Sequence, residues 1–406
     1  MKSNVWYISK YANVEKYGAD TRQANFCKEF AKAAYKVRLI TSNSSHLYSH
    51  LPKFKKRYFD TQAQGFSVTW VNTPGYSKTA SIRRIIGWLW FDFFVIMMSF
   101  NKKFEKPDVV IASSLSLFTV VTGCFYKKFY NARFIFEVRD IWPQTLIDLK
   151  GLSSKHPLTW LLKKIERLGY KYSDVIVGTM PGLHLHVENE VGLGSKVHFI
   201  PHGLNSDFYD SKQEKLSEEY IQKYIPKNKF VVTYTGTFGE ANALEYVIEA
   251  AKKLQHSSKI HFLLVGDGYL KEGLEYDAEG LMNVTFAPVV AKEQVHHLLS
   301  LSDLLVASVR DRKIYRFGVS LNKLIDYMYA RKPIVCMYSG YQSMINEAKC
   351  GEFTPAEDSN IFAETIERYQ LMNSLDRERV GDLGYKFLVN ERSLDVLSKK
   401  YMKLFN

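Results

Sequence analysis

The chain has 406 residues, enough for two or three domains, with 46% apolar residues and a formal charge of +13. This composition is ordinary for a globular protein and leaves no low-complexity stretch or short repeat. The basic excess fits either a solvated basic surface or anionic partners, acidic lipid or phosphorylated substrates; no DNA- or RNA-reading motif accompanies it, so nucleic acid is not expected.

From the N-terminus, Met1–Ser9 begins directly as a strand-like run and lacks the apolar region and cleavage site of a signal peptide. Apolar runs rich in Val, Ile and Phe predict strands at Val5–Ser9, Val37–Ser42, Phe66–Asn72, Val109–Ser114, Phe134–Val138, Val175–Thr179 and Val197–Ile200. Amphipathic stretches such as Thr21–Ala34 and Pro157–Tyr172 lie between most of them. The longest apolar segment, Ile85–Phe100, is 16 residues long, interrupted by Asp92 and flanked by Arg83, Arg84, Lys102 and Lys103. It falls short of the ~20 residues a bilayer span needs. Two readings stay open: a core helix, or a helix in the membrane interface with Trp88, Trp90 and Phe91 at headgroup depth.

Asn205–Asn228 is polar and reads as a junction. Beyond it the rhythm returns, with strands predicted at Phe230–Tyr234, His261–Val265, Val284–Phe286, Leu304–Ser308 and Ile334–Met337, and helices at Leu244–Leu254, Glu293–Leu301, Leu321–Tyr329 and Tyr341–Ala348. The last stretch, Gly384–Asn406, has a helical pattern. The expected fold is α/β: two doubly wound, Rossmann-like domains, 1–204 and 205–383, followed by a terminal helix over 384–406. Ligands of such folds bind outside the carboxyl ends of the strands, which makes the cleft between the domains the expected site. The four cysteines, Cys27, Cys124, Cys336 and Cys350, are scattered and fit reduced thiols of a cytoplasmic protein.

Candidate ligand groups follow from turn chemistry. Tyr234-Thr235-Gly236-Thr237-Phe238-Gly239 ends a strand in a glycine-bearing turn, as does Val265-Gly266-Asp267-Gly268. Backbone amides of such turns can approach a phosphate, although glycines also occur there for steric reasons alone. In Arg316-Phe317-Gly318-Val319-Ser320-Leu321-Asn322-Lys323-Leu324-Ile325-Asp326, a polar turn leads into a helix. Asn322 and Lys323 at its start can receive a diphosphate. Asp326, one turn on, can accept hydrogen bonds from ribose hydroxyls; otherwise it is a first-turn acid on a surface helix. Arg139 and Asp140 stand at the carboxyl end of the Phe134–Val138 strand, where the immediately following Trp142-Pro143 turns the chain. His184/His186 and His296/His297 lack a plausible third ligand, so no metal is expected.

The ordered series of these motifs resembles family-4 glycosyltransferases of the GT-B fold over nearly the whole chain. It comprises Ile200-Pro201-His202-Gly203, the Gly236–Gly239 turn, Leu264–Gly268, Ser320–Met328, Arg331-Lys332-Pro333-Ile334-Val335 and Cys350-Gly351-Glu352-Phe353. Phe136-Glu137-Val138-Arg139-Asp140-Ile141-Trp142-Pro143 and Gly239-Glu240-Ala241-Asn242 are similar to the branch that builds bacterial O-antigens and capsules, including L-fucosamine transferases. The resemblance implies retaining transfer, without metal or other cofactor, from a nucleoside-diphosphate sugar, expected to be a UDP-linked N-acetylated amino sugar. It implies a lipid-linked or glycan acceptor at the inner face of the cytoplasmic membrane, where an anionic surface would hold the protein peripherally, and a terminal helix over 384–406 that crosses back to the first domain.

Donor contacts would come from Gly236, Thr237, Gly239, Gly266, Arg316, Ser320, Asn322, Lys323 and Asp326. Acceptor or phosphate contacts would come from Gly18, Asp20 and Arg22 in the loop opening the first helix, where Asp20 or Thr21 can equally serve as a helix cap. Asp140 and Arg139 would serve the chemistry, with an Arg-Asp pair that merely locks the turn as the alternative. Two departures stand out: the first of the family's paired glutamates falls on Gly318, and Gly236–Leu244 carries no Arg or Lys. A GT-B nucleotide-sugar 2-epimerase and a non-catalytic sugar-nucleotide-binding protein are the competing readings.

Overall fold

The computed structural model describes residues 3–18, 20–45, 48, 50–76, 82–211 and 213–406. The chain forms two compact units, Met1–His202 with Leu394–Asn406, and Gly203–Ser393.

The first unit runs β1 (Asn4–Ile8), α1 (Arg22–Lys32), β2 (Lys36–Ser42), β3 (Tyr58–Ala63), β4 (Phe66–Val71), α2 (Ile82–Met97), β5 (Val109–Ser113), α3 (Thr119–Tyr130), β6 (Arg133–Val138), α4 (Gln144–Lys150), α5 (Pro157–Tyr172), β7 (Val175–Gly178), α6 (Leu183–Val191) and β8 (Val197–Phe199). Its sheet has the order β3-β4-β2-β1-β5-β6-β7-β8, parallel except for the antiparallel β3–β4 pair. The strands are near-continuous apolar runs because both faces are covered. Along β1, Val5 and Tyr7 enter one core while Trp6 and Ile8 enter the opposite one. All seven strands expected here form; β3 is additional. It is an edge strand with no fully buried residue: Phe59 and Gln62 are exposed, while Tyr58 is half-buried and packs on the core.

The second unit runs α7 (Ser206–Ser211), α8 (Glu218–Tyr224), β9 (Phe230–Thr235), α9 (Leu244–Lys253), β10 (Ile260–Val265), α10 (Lys271–Asp277), β11 (Val284–Ala287), α11 (Val295–Ser300), β12 (Leu304–Ser308), α12 (Lys323–Tyr329), β13 (Ile334–Met337), α13 (Ile345–Ala348), β14 (Gly351–Thr354), α14 (Ser359–Leu371) and α15 (Ser374–Arg392). Its sheet is all-parallel, in the order β11-β10-β9-β12-β13-β14. The polar stretch 205–228, expected as a junction without strands, holds α7 and α8 of this unit.

From 384 onward the chain is not one terminal helix. It breaks at Ser393. Upstream, α15 belongs to the second unit and approaches its core so closely that a Cβ on Gly381 would fall on the Arg331 carbonyl. Downstream, α16 (Leu394–Met402) belongs to the first unit, where Tyr401 packs its ring against Phe26 and Phe30, with centroids 5.3 and 5.5 Å apart.

The long apolar segment forms a helix with one face in the core and an exposed apolar face. In α2, Trp88, Phe91, Phe94 and Val95 are buried against the sheet, whereas Ile86, Leu89, Trp90 and Phe93 are exposed. Trp88 and Phe91, expected at headgroup depth, therefore serve the core. No described helix is long and apolar enough to cross a membrane.

Candidate functional site

At the carboxyl ends of β9 and β10 the second unit has a cavity of about 340 Å³. Its lining includes Gly236, Thr237, Gly266, Asp267, Lys323 and Asp326, with Val289, Val290, Val295 and Leu298 supplying an apolar wall. The two glycine turns are stacked on one another. Gly236 has φ +141°, a conformation that favours glycine, and a Cβ on Gly266 would fall on the Gly236 carbonyl. The turns thus require glycine for their own packing, and they form the floor of the cavity.

Lys323 reaches over this floor. Its Nζ lies 3.9 Å from the centroid of the Tyr234 ring and 3.4 Å from Asn242 Oδ1. A Cβ on Gly236 would sit only 2.9 Å from that Nζ. Burial pushes the Lys323 ammonium down to about 7, because little solvent is left to stabilise the charge. The first turn of α12 closes on itself through Leu324 N to Leu321 O at 3.2 Å and Ile325 N to Asn322 O at 3.0 Å. The Lys323 side chain is therefore the cation that α12 presents to the cavity.

Asp326 departs from the surface acid foreseen as one possibility. It is buried, and its Oδ1 accepts hydrogen bonds from Tyr209 Oη and Lys292 Nζ. Asp326 also lines the cavity, where its carboxylate can accept from a hydroxyl. Its burial follows from α12 itself, where Leu324–Met328 are all buried. Tyr209 and Lys292 had no sequence signal pointing to Asp326, since they come from distant segments.

The other expected donor residues do not line this cavity. Gly239 stands next to Tyr269, Arg316 is exposed and stacked 4.6 Å over its neighbour Phe317, and Asn322 is exposed. Ser320 is half-buried outside the lining. Gly318 has φ +104°, so the position where the family's first glutamate falls has a backbone that suits glycine.

In the first unit, Arg22 is the clear correction. Instead of reaching a phosphate it is buried, with its Nε 3.1 Å from Glu137 Oε1, its Nη2 2.6 Å from the Ile200 carbonyl and its Nη1 on the Pro201 carbonyl. Glu137, fully buried in β6, also accepts from Tyr7 Oη at 2.7 Å and Ser113 Oγ at 2.7 Å. The sequence signal was present but unassigned: a lone carboxylate inside Phe134-Ile135-Phe136-Glu137-Val138 must be paired, because an unpaired buried charge is costly. Asp20 accepts from Glu15 N at 2.8 Å and pairs with Lys28 at 2.6 Å, and the pair lines a cavity of about 340 Å³ in the first unit. Gly18, at φ +129°, ends a short turn.

Arg139 and Asp140 follow β6 directly. The backbone is held by Arg139 N to Ser114 Oγ at 2.8 Å and Thr179 Oγ1 to Arg139 O at 3.3 Å. The side chains are not so held. Among the described residues no ion pair joins the two, and Arg139 Nε is buried without a partner. Burial raises the Asp140 carboxyl above its ordinary range, opposed by the Arg139 charge. Nearby, His202 is held well below the usual imidazole value by burial and by the charges of Arg22 and Arg139. Among the described residues no group of three His, Cys, Asp or Glu side chains is placed to hold a metal.

Residues 229–370 match the family model described as glycosyl transferases group 1. WcaI of Escherichia coli K12, named as a colanic acid biosynthesis glycosyl transferase, is 29% identical over 205 residues, 49% of this chain and 50% of that protein. Alpha-D-kanosaminyltransferase of Streptomyces kanamyceticus is 26% identical over 178 residues, 43% of this chain and 45% of that protein. The chain thus spans about half the length of the curated relatives it matches. The Escherichia coli trehalose-6-phosphate structure bound with UDP-2-fluoro glucose superposes with a TM-score of 0.74 at 11% identity, covering 100% of this chain and 99% of that one. The fold is GT-B.

Proposed function

We propose that the chain is a glycosyltransferase that binds a nucleoside-diphosphate sugar through its second unit and transfers the sugar to a lipid-linked or glycan acceptor in bacterial surface polysaccharide synthesis. The observation that carries this reading is the cavity where Lys323 overhangs the stacked Gly236 and Gly266 turns beside Asp326. A diphosphate supplies the anion that a partly desolvated ammonium lacks, and a ribose supplies hydroxyls for the carboxylate. The match of residues 229–370, which contain all these groups, supports the assignment.

The donor proposed is a UDP-linked N-acetylated amino sugar. The apolar wall of Val289 and Val290 suits a ligand with an apolar face, and a kanosaminyltransferase stands among the relatives. Retention is proposed for the transfer, with Asp140 stabilising the positive charge that develops at the anomeric carbon and orienting the acceptor hydroxyl. Its carboxylate, carrying no hydrogen bond among the described residues, is available for that role. No step calls on a metal. The protein is proposed to work in the cytoplasm, peripherally at the inner face of the membrane.

The test incubates the purified chain with a panel of nucleotide sugars and a lipid-linked acceptor and reads products by mass spectrometry. Nucleotide release with a new glycolipid is the expected result. An isomerised free donor would make the protein an epimerase instead, and donor binding without turnover would make it a binding protein.

A further inference from the structure

The helices α2, α3 and α5 connect β4 to β5, β5 to β6 and β6 to β7. These crossovers advance in one direction across the sheet, so their uniform handedness places all three helices on the same face, opposite α1. They pack side by side: Thr122 of α3 donates to Asp92 of α2 at 2.6 Å, and a Cβ on Gly169 of α5 would lie 3.0 Å from Val120 of α3. Their outer surfaces are apolar. Trp90 and Phe93 of α2 are 45% and 54% exposed, Phe129 of α3 is 63% exposed, and Trp160 of α5 is 59% exposed. Isolated exposed apolar residues need no account, but large aromatic ones spread over adjacent helices mark an interaction surface.

Charge identifies the occupant. The only acids in the three helices are Asp92 and Glu166, and both are buried, at 4% and 2% exposure. Their exposed charges are basic, among them Lys128 and Lys164. Lys164 Nζ lies 3.6 Å over the Trp160 ring, a basic tip on an aromatic body. At the border, Glu190 of α6 is already neutralised by Lys163 and Arg167, each at 3.0 Å. A surface of exposed aromatics with basic charge and no exposed acid complements a bilayer with anionic headgroups, where rings settle at the interface and cations meet phosphates.

We infer that α2, α3 and α5 together form a docking plate for an anionic bilayer. Binding thus depends on side chains distributed over three helices, not on the one apolar segment visible in the sequence. The inference deepens the membrane-side reading above and names the surface that serves it.

The full chain is tested by sedimentation with vesicles of phosphatidylcholine alone and with 30% phosphatidylglycerol. Binding is expected only to the anionic vesicles and is lost at high salt. The α5 double variant Trp160→Ser/Lys164→Glu is expected to weaken it at least ~10-fold, since each cation near such a surface is worth about fivefold. Phe93→Ser on α2 weakens it similarly, and Leu371→Ser, exposed on the second unit, leaves it unchanged. All variants keep the wild-type melting temperature. Wild-type vesicle binding by the α5 variant would overturn the plate, as would binding to neutral vesicles or a lipid-free dimer dissolved by the same substitutions. Transfer to a detergent-solubilised acceptor separates the two readings: its absence in the wild type sinks the enzymatic assignment and leaves vesicle binding standing.

Discussion

The two units share a doubly wound plan and differ at the carboxyl edges of their sheets. In the first unit two buried cations there already have protein partners: Arg22 with Glu137 and two carbonyls, and Lys10 with Ser44 O at 3.2 Å. In the second, Lys323 and Asp326 border a cavity. A charged side chain near a strand end is thus no guide to ligand binding until its partners are counted. Fully paired ions build the edge, and partly paired ions await something. By that criterion Asp140 and Arg139 are the exceptions within the first unit.

Breaking the paired class should have the largest effect. Arg22→Met strands the Glu137 carboxylate in the core, which costs about 3–5 kcal/mol of stability. The cost should appear as a shifted urea midpoint. Glu137→Gln, which removes the charge and keeps some hydrogen bonding, should cost less. A ligand role for Arg22 would instead leave stability intact and weaken donor or acceptor binding.

Asp140→Asn comes next. If the carboxylate acts on the transition state, kcat should fall about 100-fold or more, with donor affinity and melting temperature nearly unchanged. A fall in stability with turnover preserved in the folded fraction would assign Asp140 to the turn instead.

Within the partly paired class, Lys323→Ala should weaken donor binding by about 1.5–3 kcal/mol, the worth of a charge-assisted hydrogen bond, as read by calorimetry. Asp326→Ala should weaken the donor and also lower the melting temperature, because Tyr209 and Lys292 lose their acceptor. An Asp326→Ala protein with unchanged melting temperature would contradict the buried arrangement.

Most strands of both sheets were legible because a strand covered on both faces reads as an unbroken apolar run, as in Val5-Trp6-Tyr7-Ile8. β3 and β14 were not: both are edge strands, β3 with none of its residues fully buried and β14 only four residues of mixed polarity, Gly351-Glu352-Phe353-Thr354. Five expected donor residues line the cavity: Gly236, Thr237, Gly266, Lys323 and Asp326. Turn chemistry exposes such positions locally. Pairings such as Arg22 with Glu137, or Asp326 with Tyr209 and Lys292, join residues far apart in the chain and have no local signature. Asp92 illustrates the same limit. It interrupts an apolar segment in sequence, yet it points inward to Thr122, and burial raises its carboxyl to about 7.

The smallest effect is the most specific to the partly paired class. Burial lowers the free Lys323 ammonium from 10.5 to about 7. A bound diphosphate favours the charged form and raises the value again. Below pH 6 the lysine is charged before and after binding, so donor affinity should be flat. Above pH 7 the free protein is neutral at this position and must take up a proton to bind. Affinity should then fall as pH rises, by at most ~10-fold per pH unit, until the bound form also titrates. A sugar nucleotide suits this measurement because its diphosphate diester has no ionisation in this range. Calorimetry at pH 8 in buffers of different ionisation enthalpy should report uptake of close to one proton, and Lys323→Met should abolish both the uptake and the slope. The unliganded protein gives the companion sign: between about 7 and 10.5 the unfolded chain holds the proton that folded Lys323 has lost, so this residue makes stability rise with pH across that window. A wild-type donor affinity that stays level from pH 6 to 9 would place Lys323 with the paired residues of the first unit, as a cation that serves the fold and not the donor.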